Sequence, residues 1–152
     1  MLGANVRPEP SSEWEIGHSQ INLHDIGKKL FRTADDEIFL NQMHQDQVES
    51  PPTYEMAGGL LSKDQTIEVW GHSPHTKVQG VYLMNRLFTS QAHMAFDPQM
   101  VRREIQMRID SGALQDMALA EEAKGNSHLE HDGEVLAAAI LRFFHYEDDG
   151  LE

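Results

Sequence analysis

Arg86-Leu87-Phe88-Thr89-Ser90-Gln91-Ala92-His93-Met94-Ala95-Phe96-Asp97-Pro98 takes an apolar, β-prone run into a polar turn and then into a helix. Leu87 and Phe88 begin the run. Asp97 offers a side-chain acceptor to the first N–H groups of the helix, and Pro98 has the fixed φ that suits a first helical turn. A strand that hands over to a helix is where α/β folds place their chemistry. His93 is the titratable side chain at that handover, either a satisfied structural histidine or an acid–base group.

Downstream of Asp97 the apolar period becomes 3.6. Met100-Val101, Ile105 and Ile109 share one face, with Arg102, Arg103, Gln106 and Arg108 largely on the other, which predicts a helix over 98–110 that ends at Ser111-Gly112. Further helices are predicted over 115–123 and, from an Asp132 cap, over 132–145, separated by Gly125-Asn126-Ser127. Upstream, strands are expected near 14–23, 36–43, 59–83 and 87–92. Trp14, Ile16, Ile21 and Leu23 alternate with a break at Gly17-His18, as in a bulged strand or a tight hairpin. Asp25 is expected to cap a short helical turn from Ile26 to Phe31. Gly59-Leu60-Leu61-Ser62 and Thr66-Ile67-Glu68-Val69-Trp70 read as short strands around Lys63-Asp64-Gln65, and Met84-Asn85-Arg86 joins the last pair. The pattern predicts an α/β fold with a mixed sheet. Residues 1–13 read as an irregular lead-in, and 148–152 as an acidic, solvated tail.

The formal charge of −13 and sequence pI near 5.0 argue against nucleic acid and anionic membranes, which select basic patches. No apolar run is long enough to span a bilayer and no signal segment follows Met1, so a cytoplasmic protein is expected. The chain has no cysteine, so disulfides, thiolate catalysis by its own residues and sulfur-bound zinc are excluded.

The strand-to-helix stretch resembles the end of the class I glutamine amidotransferase domain, where a strand ending in Gln-x-His-Pro-Glu-Phe supplies the His and Glu of a Cys-His-Glu triad. Gln91, His93 and Phe96 fit. Glu15-Ile16-Gly17 with Ile21-Asn22-Leu23, Gly27-Lys28-Lys29-Leu30-Phe31, Gln42-Met43-His44-Gln45-Asp46-Gln47-Val48 and Val78-Gln79-Gly80-Val81-Tyr82 follow the family's order, covering roughly residues 2–110. The likeness is closest to stand-alone fungal and bacterial members. It implies a flavodoxin-like mixed sheet, of which 14–147 would be the carboxyl-terminal part. Met1-Leu2-Gly3-Ala4 resembles the end of the helix after the family's Gly-x-Cys-x-Gly elbow, so the chain is expected to start just past its nucleophile.

The resemblance makes His93 the remnant of the triad, with Ala95 at the Glu position, and gives His44, Gln45 and Asp46 to the loop that holds the amino-acid end of glutamine. In an intact member the cysteine attacks the carboxamide, the histidine moves the proton and the glutamate orients the imidazole. A methyl group cannot accept an imidazole N–H, and replacing an orienting carboxylate costs a serine protease roughly 10^4 in turnover. No glutaminase activity is therefore expected of this chain. For His44 and Asp46 the competing reading is a mutual pair that fixes a strand end.

Two histidine pairs remain, His72/His75 and His128/His131. Each lacks a third ligand in a recognisable motif, so no metal and no cofactor is expected. Three functions stay open: a truncated or degenerate amidotransferase-like protein, a half-site completed by a partner chain carrying the cysteine, and a non-catalytic interaction module. A sheet missing its neighbours should leave Ile38-Phe39-Leu40 and Leu87-Phe88 partly uncovered, so a homo-oligomer or a covering partner is expected.

Overall fold

The computed structural model describes residues 2–8 and 13–147. In chain order it holds β1 (Val6–Pro8), β2 (Glu15–Leu23), α1 (Asp25–Phe31), β3 (Glu37–His44), β4 (Asp46–Val48), β5 (Glu68–His72), β6 (Gly80–Leu83), β7 (Leu87–Phe88), α2 (Pro98–Asp110), α3 (Met117–Gly125), a 3-10 turn (Asn126–His128) and α4 (Gly133–Phe144). The main sheet runs β3-β2-β5-β6-β7, and β1 with β4 forms a separate ribbon. The irregular lead-in expected over 1–13 therefore contains a strand, and the expected tail at 148–152 lies outside the described residues.

The α/β class holds, although every strand pairing among the described residues is antiparallel. The sheet curls back on itself. Past β7, Thr89 N–H donates to Val81 O at 2.9 Å, Gln91 N–H to Gln79 O at 2.8 Å and His93 N–H to Asn41 O at 2.9 Å, so one segment passes from β6 to the outer edge of β3. Gly80 permits this closure, because a Cβ there would strike Thr89 O and the Trp70 indole, whose Nε1–H donates to that same carbonyl at 2.7 Å.

The break in alternation at Gly17-His18 is neither a bulge nor a hairpin. β2 and β3 pair without interruption from Glu15 opposite His44 to Asn22 opposite Glu37. Ile16 packs on the outer face with Met43, Val101, Ile105 and Ala120, whereas Ile21 and Leu23 point inward with Leu40, Trp70 and Tyr82. The strand is covered on both faces, so apolar residues occupy both parities. Gly17, at φ 76°, lies under Ala123, whose Cβ would be 2.9 Å from a Cβ at Gly17.

α1 and α4 cap the inner cluster through Phe31, Leu30, Leu136 and Ala139. This corrects the expected loss of cover: Ile38 and Leu40 are 4% and 0% exposed because the curl and these helices enclose them. Phe88 is half-buried against Tyr82 and Phe143, with ring centroids 6.2 and 6.0 Å away. The strands expected from 59 to 67 are also absent. Leu61 and Ile67 are buried from turns and loops, together with Val78, Val81 and Leu83.

Asp97 caps α2 as expected, accepting from Met100 N–H at 2.7 Å. The other two expected caps differ. Asp25 is the first residue of α1 and His24 holds the cap position. Asp132 precedes α4 but turns to the open edge of β3, accepting from Phe39 N–H at 2.7 Å while its own N–H donates to Phe39 O at 2.7 Å. Unpaired edge groups compete for a carboxylate as strongly as a helix start does. No helix among the described residues is long and apolar enough to cross a membrane.

Candidate functional site

The segment that closes the sheet carries His93 to the edge of β3. Its ring stacks on Phe96 at 4.0 Å, with the planes 7° apart. Phe96 is held by its carbonyl, which accepts from Asn41 Nδ2 and from His131 Nε2, both at 3.1 Å. Burial and the neighbouring His44 push the His93 pKa below its ordinary value, against an opposing pull from Glu104. Ala95 is exposed and offers no acceptor. Among the described residues no carboxylate lies within ion-pair distance of His93.

His44 ends β3 on the inner face, with Nε2 3.2 Å from Glu15 Oε2. Gln45 and Asp46 lead into β4, where Asp46 O accepts from Gln91 Nε2 at 3.0 Å. The structure thus brings His93 and residues 44–46 together through the Asn41–His93 bridge and the Gln91–Asp46 bond. The carboxylate beside His44 is Glu15 rather than Asp46.

Behind these residues one end of the curl is polar. Glu15 Oε2 accepts from Thr76 Oγ1 at 2.6 Å and Gln79 Nε2 at 3.0 Å. Gln79 Nε2 also donates to Ser73 Oγ at 3.2 Å, while Gln79 Oε1 accepts from Gln42 Nε2 at 2.9 Å. Glu15, Gln42, Ser73, Thr76 and Gln79 are all buried. Burial by itself would raise the Glu15 pKa, but the adjacent His44 imidazole and the hydroxyls of Thr76 and Ser73 outweigh it and hold the carboxyl below its ordinary value. Among the described residues, the buried side-chain atoms with no hydrogen-bond partner are Gln42 Oε1, His75 Nε2, His44 Nδ1 and His44 Nε2, the last of which approaches Glu15 at 3.2 Å but out of line for a hydrogen bond.

Sequence reading did not single out Glu15, Gln42 or Gln79 as site residues, although each stood in a segment that carried the family likeness. The available signal was parity, since Gln42 and His44 share the inward row of Ile38 and Leu40. The other histidines are spread apart. His72 meets His24 rather than His75, with His24 Nε2 3.0 Å from His72 Nδ1 and His24 Nδ1 2.9 Å from Val69 O. His128 binds Gly125 O through Nδ1 at 2.8 Å, and His131 Nδ1 accepts from Gly133 N–H at 3.1 Å. Among the described residues no three His, Cys, Asp or Glu side chains gather as a metal site. A cavity of about 600 Å³ lies on the outer side of β6 and β7, lined by Val48, Leu61, Val81 and Leu87 with Gln91 among its polar residues.

No family model matches the chain. A Saccharomyces cerevisiae protein whose name assigns it provisionally to the glutamine amidotransferases is 26% identical over 143 residues, which are 94% of this chain and 50% of that protein. The crystal structure of a glutamine amidotransferase from Thermotoga maritima superposes with a TM-score of 0.57 at 19% identity, covering 98% of this chain and 56% of that one. A glutamine amidotransferase from Methylobacillus flagellatus gives 0.55 at 20% identity, with coverages of 97% and 53%. The chain spans about half the length of each of these proteins. It is similar in sequence, along nearly its whole length, to half of a protein provisionally named a glutamine amidotransferase, and its fold is that of about half of a class I glutamine amidotransferase-like domain.

Proposed function

We propose that this chain forms the histidine and substrate-loop side of a glutamine amidotransferase-like site and does not itself hydrolyse glutamine. In this reading His93 stands at the acid–base position, and His44, Gln45 and Asp46 border the amino-acid end of the substrate. The observation that carries it is the convergence of residues 44–46 and His93 on one edge of the curled sheet in a chain with no cysteine and with Ala95 after the histidine. An imidazole without a nucleophile or an orienting carboxylate has no proton to move along this reaction path. We place the protein in the cytoplasm, where a cysteine-free, acidic chain with no apolar span fits.

The test is ammonia release from glutamine by the purified chain between pH 6 and 9, paired with calorimetric titration of glutamine. No release above background is expected, and turnover that disappears in His93→Ala would overturn the proposal. A second reading, in which another polypeptide supplies the cysteine, is favoured by the apolar cavity that reaches Gln91, two residues before His93. Its test is co-expression with the part of the yeast relative that this chain does not match. Ammonia release that requires both pieces would support it, and independent elution of the two pieces would remove it.

A further inference from the structure

The carboxylate that His93 lacks has a counterpart one strand away. Glu15 and His44 are direct cross-strand partners at the end of the β2–β3 ladder, on its inward face. The Glu15 carboxylate is 6% exposed and is fixed by Thr76 Oγ1 at 2.6 Å and Gln79 Nε2 at 3.0 Å. Gln79 is held in turn by Gln42 and Ser73, and its main-chain carbonyl takes the N–H of Gln91 at 2.8 Å. Oε2 can therefore move little, while the imidazole 3.2 Å away can turn about its own χ angles. An anionic oxygen that already accepts two hydrogen bonds draws the nearest N–H of the ring and repels a bare nitrogen lone pair. The ring edge that faces Glu15 is Nε2, which a small turn of the ring would bring into line with Oε2, and the other nitrogen, Nδ1, is buried and likewise has no hydrogen-bond partner among the described residues.

We propose that Glu15 is a positioning residue that fixes His44 as the Nε2–H tautomer and leaves Nδ1 as a bare acceptor for an N–H donor of an amino-acid ligand. Gln42 Oε1, two residues earlier on the same inward row, is a second unpartnered acceptor. Two buried acceptors on one row select an ammonium or carboxamide nitrogen over a carboxylate, which would be repelled. The tautomer assignment stands on this geometry alone. The identity of the ligand as glutamine rests on the function proposed above.

The experiment is a long-range 15N–1H correlation spectrum of the full chain at pH 8, with His44 assigned by comparison with His44→Gln. Wild type is expected to give a protonated Nε2 and an unprotonated Nδ1 at His44, with widely separated 15N shifts. In Glu15→Gln the separation should shrink as the two tautomers mix, and in Thr76→Val, which removes one of the carboxylate's donors, it should shrink less. An Nδ1–H tautomer or an imidazolium in wild type, or unchanged His44 shifts in Glu15→Gln, would overturn the assignment. Should Glu15→Gln fail to fold, the wild-type tautomer and Thr76→Val decide it. Addition of glutamine should move His44 Nδ1 more than any other ring nitrogen. If the tautomer holds and responds to Glu15 but glutamine leaves Nδ1 unmoved, the positioning role stands and the glutamine reading fails.

Discussion

The two ends of the curled sheet are built on the same strands and held by different physics. At one end Ile21, Leu40, Trp70, Tyr82 and Phe31 fill the interior with carbon, and at the other Glu15, Gln42, His44, Ser73, Thr76 and Gln79 fill it with hydrogen bonds. The apolar end gains from area removed from water and has no orientation to satisfy. The polar end gains little on balance from each bond and loses much when a partner is missing. Among the described residues, the unpartnered Gln42 Oε1 and His44 Nδ1 lie at the second end. An interior optimised for stability alone would not leave them there, so the candidate site belongs to that end.

The largest effect that would probe this contrast is at the apolar end. Trp70 is fully buried, stands edge-on to Phe31 at 5.2 Å and donates to Thr89 O. Trp70→Ala is expected to cost about 4 kcal/mol in urea denaturation, combining a cavity with an orphaned carbonyl at the closing segment. At the polar end Glu15→Ala should cost about 3 kcal/mol, because it strands the Thr76 hydroxyl and one side of the Gln79 amide. A larger loss for Glu15→Ala than for Trp70→Ala would reverse the contrast and make the polar network the main stabilising element.

A surface contact sets the scale for both. Asp97→Ala removes the α2 cap at Met100 and is expected to lower stability by about 1 kcal/mol by the same measurement.

The smallest effect is the pH dependence near neutrality. The His93 pKa is lowered from 6.5, so the unfolded chain takes up its proton first, and stability should decline as pH falls below 6.5 toward the folded value. Glu15 acts in a lower window. Its pKa is lowered from 4.5, so its contribution is complete above that value and lost as pH falls through the folded one. Urea midpoints at pH 7.5, 5.5 and 3.5 should fall in two stages. His93→Gln should remove the first stage and Glu15→Gln should reduce the second, which the lowered carboxyls of Asp36, Glu55 and Asp64 share; a first stage that survives His93→Gln or a second left unchanged by Glu15→Gln would refute the assignment.

Local chemistry made part of this legible in the chain. The Asp97-Pro98 start and the Val101-Ile105 stripe specify α2 at the bounds observed, Pro98–Asp110, because a cap and an amphipathic period act within a few residues. Met117–Gly125 and Gly133–Phe144 fall within about two residues of expectation for the same reason. The β-region was read less well. Leu61 and Ile67 look like strand residues but are buried from irregular backbone, since burial beneath neighbouring loops requires no ladder. The site was legible as separate pieces, His93 in one segment and residues 44–46 in another.

The sequence by itself determined the absence of a thiol nucleophile, the methyl group of Ala95 after His93, the helical half of the fold and the family likeness, since each depends on residue identity or on short-range order. Only the tertiary structure decided that His44 faces Glu15, that Asp132 serves the edge of β3 instead of its helix, and that the chain past β7 closes the sheet beside His93. These are contacts between residues 29 to 93 positions apart, or between a segment and an edge formed elsewhere. A carboxylate accepts from whichever donor the fold brings near it, and no local pattern encodes which donor that will be.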